Sequence, residues 1–526
     1  MNWVIKENND NESVKRLSNE LNISPILSSM LVNRRIKTFD QAKKFFRPNF
    51  EMLHDPFLMK DMSLAVERIQ KAIQKNESIM IFGDYDVDGT SSVALLSMYL
   101  ESLGLKIIKY LPDRKKEGYG VSINAIDHAF SKNHKLIIAL DCGIKAHKQV
   151  EYAKEKGIEF IICDHHNPDK NLPKALAILN PKRKDCAYPF KELCGCGVGF
   201  KLVQAVESKQ SKNNQIINYL DLVALAIAAD VVPLTGENRV LAFIGLQIIN
   251  SNPRPGIHSL LKTNIKKEYT ISDLMYYVGP RINAAGRMKH ASLALELLIC
   301  NEINSAEKLA LEIEELNTLR REIEKNITSQ AIEQADNSSE KTNSIVVFNS
   351  DWNKGVIGIV ASRLVDKYYK PSIVFCESSK GVLTASARSI KGLDLYSVLN
   401  QCKGFIDQFG GHKYAAGLTI KKENLEGFKK HFENIVSQII DKNIFEQELL
   451  IESKINLNEI TPKFFRILKQ FEPFGPGNKS PLFLSENLKT KGKAFELGKE
   501  KEHIKLNLTQ DNKTSYSSIG FWFSNK

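Results

Sequence analysis

The 526-residue sequence has no apolar run near the about 20 residues needed to cross a bilayer; its longest, Val223 to Ala229, stands between Asp221 and Asp230. Its opening residues, MNWVIKENNDNES, lack the apolar stretch of a secretory signal. No membrane attachment is therefore expected, and the chain is expected to stay in the cytoplasm. Cysteine is sparse. Of eight, the only close pair, Cys194 and Cys196, has one residue between its members rather than the two of zinc knuckles and redox motifs, so all are read as reduced thiols. Proline and glycine, 17 and 29 residues, are too few for broad disorder, and no internal repeat or long low-complexity tract occurs. No G-x-x-x-x-G-K-S/T segment is present, which argues against a P-loop NTPase. The run GCGVGF, Gly195 to Phe200, falls short of G-x-G-x-x-G and follows no clear strand, so it reads as a turn and helix start.

What is there is ordinary for a folded protein: 43% hydrophobic and 25% charged residues. At 59.4 kDa the chain exceeds what one core organises, so roughly two to four domains are expected. A formal net charge of +12 and a pI of about 9.0 favour a polyanionic partner. With no membrane signal, nucleic acid is the better-supported choice.

From Ser78 to about Leu234 short apolar runs (SIMIF, KLIIAL, FIICD) alternate with amphipathic segments, a rhythm that predicts a parallel α/β sheet with crossover helices. The Pro- and Gly-free, charged segment from about Ser305 to Glu340 predicts a long connecting helix. A second α/β segment runs from Asn343 to about Ile440, and short alternating runs such as HIKLNL and SIGFWF suggest a small terminal β-barrel.

The segment GDYDVDGTSS puts Asp84, Asp86 and Asp88 at alternate positions after the apolar run Ile79 to Phe82, with a helix expected from near Thr90. Three carboxylates this close repel unless a cation holds them, and a hard divalent ion is the simplest answer. An EF-hand begins with the same letters, but Leu95 stands where its bidentate Glu belongs, and a strand rather than a helix precedes the loop. Asp141 ends the run Leu136 to Leu140, and Asp164, His165 and His166 end Phe160 to Cys163. These groups fall at the carboxyl ends of neighbouring strands, where open α/β sheets bind ligands. Past a strand end, both histidine rings can turn toward one site. Asp230 adds an acid after the helix-like run DLVALAIAA. Oxygen ligands mixed with imidazole suit manganese, and magnesium where waters complete the shell. Two such ions about 3.5 to 4 Å apart activate water and stabilise the leaving oxygen of a phosphodiester.

With these residues assembled, the chain resembles the DHH phosphoesterase family, through GDYDVDG, LPDRKKEGYG, ALDCG, CDHH, AADVVPL and GPRINAAGR in the family's order, followed by SARS and FGGHKYAAG of the DHH-associated domain and FEPFGPGNKSPLF at the start of a terminal oligonucleotide-binding fold. The match is specifically to the branch that digests single-stranded DNA from its 5′ end. The resemblance implies an N-terminal helical arm over residues 1–50, a DHH catalytic domain over 51–235, a helical extension with the long connecting helix over 236–340, a DHH-associated domain over 341–444 and an OB-fold over 445–526. It implies two Mn2+ or Mg2+ ions, with metal-ligand or catalytic roles for Asp84, Asp86, Asp88, Asp141, His165, His166 and Asp230. Among these His166 and Asp88 are the catalytic candidates, one histidine giving a proton to the leaving group. It also sets Arg114, Ser386 and Arg388 around a 5′ phosphate.

Arg281, Asn283 and Arg287, with Tyr119, are expected to line the strand's path, and Gly410, Gly411 and His412 to form a small-residue loop admitting phosphate to backbone amides. Phe495, Phe521, Trp522 and Phe523, among lysines, are candidates for base stacking. The expected activity is a single-strand-specific 5′→3′ exonuclease releasing 5′-mononucleotides in repair and recombination. It would work as a monomer, supplied by a helicase and a single-strand-binding protein. The rival readings are a DHH phosphodiesterase of short oligonucleotides or cyclic dinucleotides, and a non-catalytic single-strand-binding scaffold.

Overall fold

The computed structural model describes all residues except 1, 8–9, 115, 211–215, 338–341, 440–447, 512–513 and 524–526. It divides into two compact units: Leu53–Val232 with Gly236–Glu446, and Met1–Met52 with Pro233–Thr235 and Gln447–Lys526.

The larger unit holds both α/β layers. Its first sheet is wholly parallel, ordered Ile107–Tyr110, Ile79–Gly83, Leu136–Leu140, Glu159–Cys163, Ala177–Leu179. The strands Ile79–Gly83 and Leu136–Leu140 are buried throughout, so their sequences are continuous apolar runs rather than alternations. The three central strands end at the site acids: Asp84 follows Gly83, Asp141 follows Leu140 and Asp164 follows Cys163. The helix after Asp86 begins at Val87, earlier than the sequence suggests, because the Asp86 carboxylate caps it through the Gly89 amide at 3.1 Å.

The long helix is Ile303–Asp336. Its buried residues, Ala306, Ala310, Ile313, Asn317, Arg320, Glu324, Ile327 and Ala331, alternate spacings of four and three. That is the stripe one helix face presents to its neighbours, here Gly279–Met288 and Ile357–Tyr368. The second sheet is ordered Gln408–Gly411, Ala415–Lys421, Val382–Arg388, Ser372–Ser379, Ile345–Phe348, antiparallel except for the last pair. The small-residue segment expected as a loop is thus a hairpin. Gly410 pairs with Gly417 and Gly411 with Ala416, leaving His412 at the turn. Glycine is required at 411, where φ is 151° and a Cβ would lie 2.4 Å from the Ala415 carbonyl oxygen.

In the smaller unit, helices Asn11–Leu21, Pro25–Asn33 and Phe39–Phe46 are capped by Asp10, Ser24 and Thr38. Leu17, Leu27, Met30 and Leu31 share one core with Ile455, Phe464 and Phe471. Strand Asn2–Ile5 pairs in parallel with Glu448–Ile451. In the terminal segment, His503–Thr509 pairs antiparallel with Lys489–Thr490, Phe495–Leu497 and Ser515–Gly520.

Candidate metal centre and phosphate pocket

His165 is the hub of the acidic cluster. Its Nε2 lies 3.2 Å from Asp141 Oδ1, 3.6 Å from Asp230 Oδ2 and 3.9 Å from Asp88 Oδ2. Ligand atoms of Asp141, His165 and His166 lie within 4.8 Å of one another, and so do those of Asp88, His165 and Asp230. The two groups overlap at His165. Burial, with His166 beside it, pushes the His165 imidazole down to about 3, so it stands neutral, the form that ligates metals.

The acids point the same way. Burial first, and then Asp88, Asp86, Asp230 and Asp84, raise Asp141 well above the ordinary carboxylate range. Burial and Asp86 raise Asp84, and burial, Asp88 and Asp86 raise Asp230. Asp88 rises to about 7 through burial and Asp86, even though backbone amides oppose the shift. Asp84 Oδ1, Asp141 Oδ1 and both ring nitrogens of His165 are buried without a hydrogen bond of ordinary geometry. Buried polar atoms left so are costly. A cation among them removes both the mutual repulsion and the unmet bonding, so the residues fit a divalent centre.

Two sets of contacts that the sequence reading did not foresee shape this cluster. Asp164, fully enclosed, accepts from the amides of His165 at 2.7 Å and His166 at 3.0 Å, and from Ile144 at 2.9 Å. It also bonds His166 Nδ1 at 2.7 Å, which turns Nε2 of that ring toward the site. Burial alone would raise Asp164, but the His166 bond and charge outweigh it and hold the group at about 2. The letters of CDHH exposed this residue, but not that its bonds orient its neighbours.

The second set belongs to the run GCGVGF. It opens helix Gly195–Glu207, and the Gly195 and Cys196 amides donate to the two oxygens of Asp88 at 2.7 Å each. A Cβ on residue 195 would stand 2.6 Å from Asp141. Gly195→Ala is therefore expected to displace two site carboxylates at once and lower turnover at this site by about a hundredfold. Far-UV circular dichroism and steady-state rates, measured together, check that the fold survives while turnover falls.

Tyr119, 59% exposed, brings its hydroxyl to 3.3 Å from His166 Nε2. The loop bearing Tyr119 and Arg114 is organised by Glu117, which accepts from Tyr110 Oη, the Asp113 amide and Ser122 Oγ at 2.9, 2.8 and 2.5 Å. From the second sheet, His412 stacks on His166 with centroids 6.2 Å apart. Both α/β layers thus meet at the metal cluster.

Beside it lies a cationic pocket. Arg388 donates to Ser386 Oγ at 3.0 Å, and Gly358, near the start of helix Ile357–Tyr368, approaches both so closely that a Cβ there would be 3.0 Å from Ser386 Oγ. The Arg114 guanidinium lies over the Tyr85 ring at 4.7 Å. Arg287 joins this trio rather than standing apart along the path: it donates to the Gly355 carbonyl at 2.8 Å, and burial with Arg114, Arg320 and Arg388 pushes it down to about 9. Burial and Arg114 lower Arg388 as well. Among the described residues, no carboxylate forms an ion pair with Arg114, Arg287 or Arg388. Arg281 does not join them. It is buried, paired with Glu314, and donates to the Tyr277 carbonyl at 2.8 Å. Asn283 is half-buried on the same helix. Phe495, Phe521, Trp522 and Phe523 of the smaller unit are exposed, with His503 edge-on to Phe521 and Trp522.

Residues 78–227 match the DHH family, N-terminal domain, residues 341–438 the DHHA1 domain and residues 451–526 the RecJ OB domain. The single-stranded-DNA-specific exonuclease RecJ of Bacillus subtilis is 36% identical over 99% of this chain and 66% of its own length, so the chain spans just under two thirds of that relative. RecJ of Haemophilus influenzae is 36% identical over 93% of this chain and 88% of its own. The crystal structure of RecJ in complex with Mn2+ from Thermus thermophilus superposes with a TM-score of 0.85 at 25% identity, covering 100% of this chain and 74% of that one. With three consecutive domain matches and near full-length kinship, the chain belongs to the RecJ family of DHH phosphoesterases.

Proposed function

We propose that this protein is a single-stranded-DNA-specific 5′→3′ exonuclease that releases 5′-mononucleotides in DNA repair and recombination. The observation that carries the reading is the set of arginines that pair with no carboxylate among the described residues, Arg114, Arg287 and Arg388, beside the acid and histidine cluster. Half-buried like charges of this kind await an anion, and the planar forks with Ser386 suit a phosphate monoester. The names of the relatives support single-stranded DNA as substrate.

Asp84, Asp86, Asp88, Asp141, His165 and Asp230 would hold two Mn2+ or Mg2+ ions, whose charge would make bound water a nucleophile at neutral pH and neutralise the phosphoryl oxygens, leaving Nε2 of His166 for proton transfer. The chain's own groups do the rest. Arg114, Arg287, Arg388 and Ser386 grip the terminal phosphate and place the next phosphodiester at the acidic cluster. Tyr119 offers its exposed ring to a base. His166, oriented by Asp164, faces the leaving O3′ and supplies its proton. Cleavage of the P–O3′ bond frees the terminal nucleotide with its 5′ phosphate and leaves a new 5′ phosphate on the shortened strand, ready for the same arginines.

A helicase and a single-strand-binding protein deliver the strand, and the enzyme acts as a monomer in the cytoplasm. Among the described residues no helix is long and apolar enough to cross a membrane. The test uses a 3′-labelled oligonucleotide with Mn2+, alone and as its duplex, with wild type beside Asp86→Ala. Stepwise shortening from the 5′ end, on the single strand only and lost in the variant, is expected. Internal cuts, shortening from the 3′ end or undiminished cutting by Asp86→Ala would overturn the reading.

A further inference from the structure

Tyr85 sits between two candidate metal ligands, Asp84 and Asp86, and has no part in the chemistry described above. Its surroundings are specific. The ring lies under the Arg114 guanidinium at 4.7 Å. Its carbonyl oxygen packs so tightly on Gly286 that a Cβ there would stand 2.8 Å away. That contact lets helix Gly279–Met288 close on the loop and brings in Arg287, the residue after Gly286. One residue therefore touches the metal loop through its backbone neighbours, Arg114 through its ring and the Arg287 helix through its carbonyl.

Arg114 needs such a contact. It rides on the Leu111–Gly120 loop rather than on a strand or helix, and among the described residues no carboxylate pairs with it. A free arginine side chain loses much rotamer entropy when fixed, and stacking on an aromatic face keeps the planar fork oriented without neutralising it. A carboxylate partner would compete with the phosphate, whereas a ring does not.

We infer that Tyr85 is a positioning residue that sets the span between the terminal-phosphate pocket and the metal centre, and so fixes the cut one nucleotide from the 5′ end. The inference rests on the proposed end-recognising exonuclease and adds the device that determines product length. An aromatic ring suffices for this role, while an aliphatic side chain of similar bulk does not.

The experiment compares the 526-residue wild type, Tyr85→Phe and Tyr85→Leu on matched single strands bearing either a 5′ phosphate or a 5′ hydroxyl. It reads the ratio of kcat/KM for the two ends, the length of the released products, and Mn2+ binding to the free protein by calorimetry. Wild type and Tyr85→Phe are expected to favour the phosphorylated end and release mononucleotides. For Tyr85→Leu the preference is expected to fall by about threefold to thirtyfold, with longer products appearing and Mn2+ binding unchanged. A Tyr85→Leu protein that keeps both the preference and the mononucleotide product overturns the inference alone, provided that wild type discriminates. Loss of Mn2+ binding in Tyr85→Leu overturns it too, by showing a structural role at the metal loop. A wild type indifferent to the 5′ phosphate overturns the end-recognition reading and this inference with it.

Discussion

Asp141→Asn is expected to lower single-strand degradation by roughly a thousandfold or more, with Mn2+ affinity falling in parallel and the protein remaining folded. The substitution keeps size and shape but removes one negative charge from the cluster around His165. The several kcal/mol of charge stabilisation that a divalent centre contributes to phosphoryl chemistry corresponds to a loss of this order. Folding should tolerate the change. Asp141 has φ 58°, a left-handed conformation that Asn adopts at least as readily as Asp, and relieving like-charge repulsion favours the native state of the metal-free protein. Calorimetric Mn2+ titration, single-turnover rates and a thermal melt of the metal-free protein distinguish the possibilities. A variant with lowered Tm and normal Mn2+ affinity would contradict the ligand assignment.

Arg388→Ala is expected to act on the strand end and not on the metals. Arg388 bonds Ser386 Oγ, and its charged neighbours in the pocket among the described residues are the guanidiniums of Arg114 and Arg287. A charge-assisted bond to phosphate is worth about 1.5–3 kcal/mol, or roughly tenfold to more than a hundredfold. That loss should fall on kcat/KM for strands with a 5′ phosphate and barely affect strands with a 5′ hydroxyl. The two substrates should then be degraded at similar rates. Since one of several repelling cations is gone, the variant should melt no lower than wild type. Competition by inorganic phosphate gives a second measure: it should inhibit wild type and lose potency against Arg388→Ala. Equal losses on both substrates would place Arg388 elsewhere in the mechanism.

The central strands were legible because each is a short run of apolar residues with a chemical group at its end, and a buried parallel strand permits little else. The long helix was legible because its composition offers no break. Contacts between distant segments were not. Nothing in GCGVGF tells that its first amides would meet Asp88, 107 residues earlier in the chain, since a helix start is generic until tertiary structure gives it a partner. Arg281 and Arg287 look alike in GPRINAAGR, yet six residues at 100° each place them about 120° apart around a helix. One therefore meets Glu314 while the other enters the cationic pocket with Arg114 and Arg388. The glycines of FGGHKYAAG suggested a loop because glycine is rare within strands. Pairing of Gly410 with Gly417 across a hairpin overrode that preference.

The core shared by the two ends of the smaller unit has a consequence for synthesis. Helices Asn11–Leu21, Pro25–Asn33 and Phe39–Phe46 leave the ribosome with their apolar faces complete, but Ile455, Phe464 and Phe471, which cover them, follow some 400 residues later. At about 5–20 residues per second, that is a wait of roughly 20–80 s. During that time the larger unit emerges whole, so the nascent chain carries a folded α/β body tethered to an unfinished amino-terminal module. An early stop before residue 455 would leave that module permanently without the residues that complete its core.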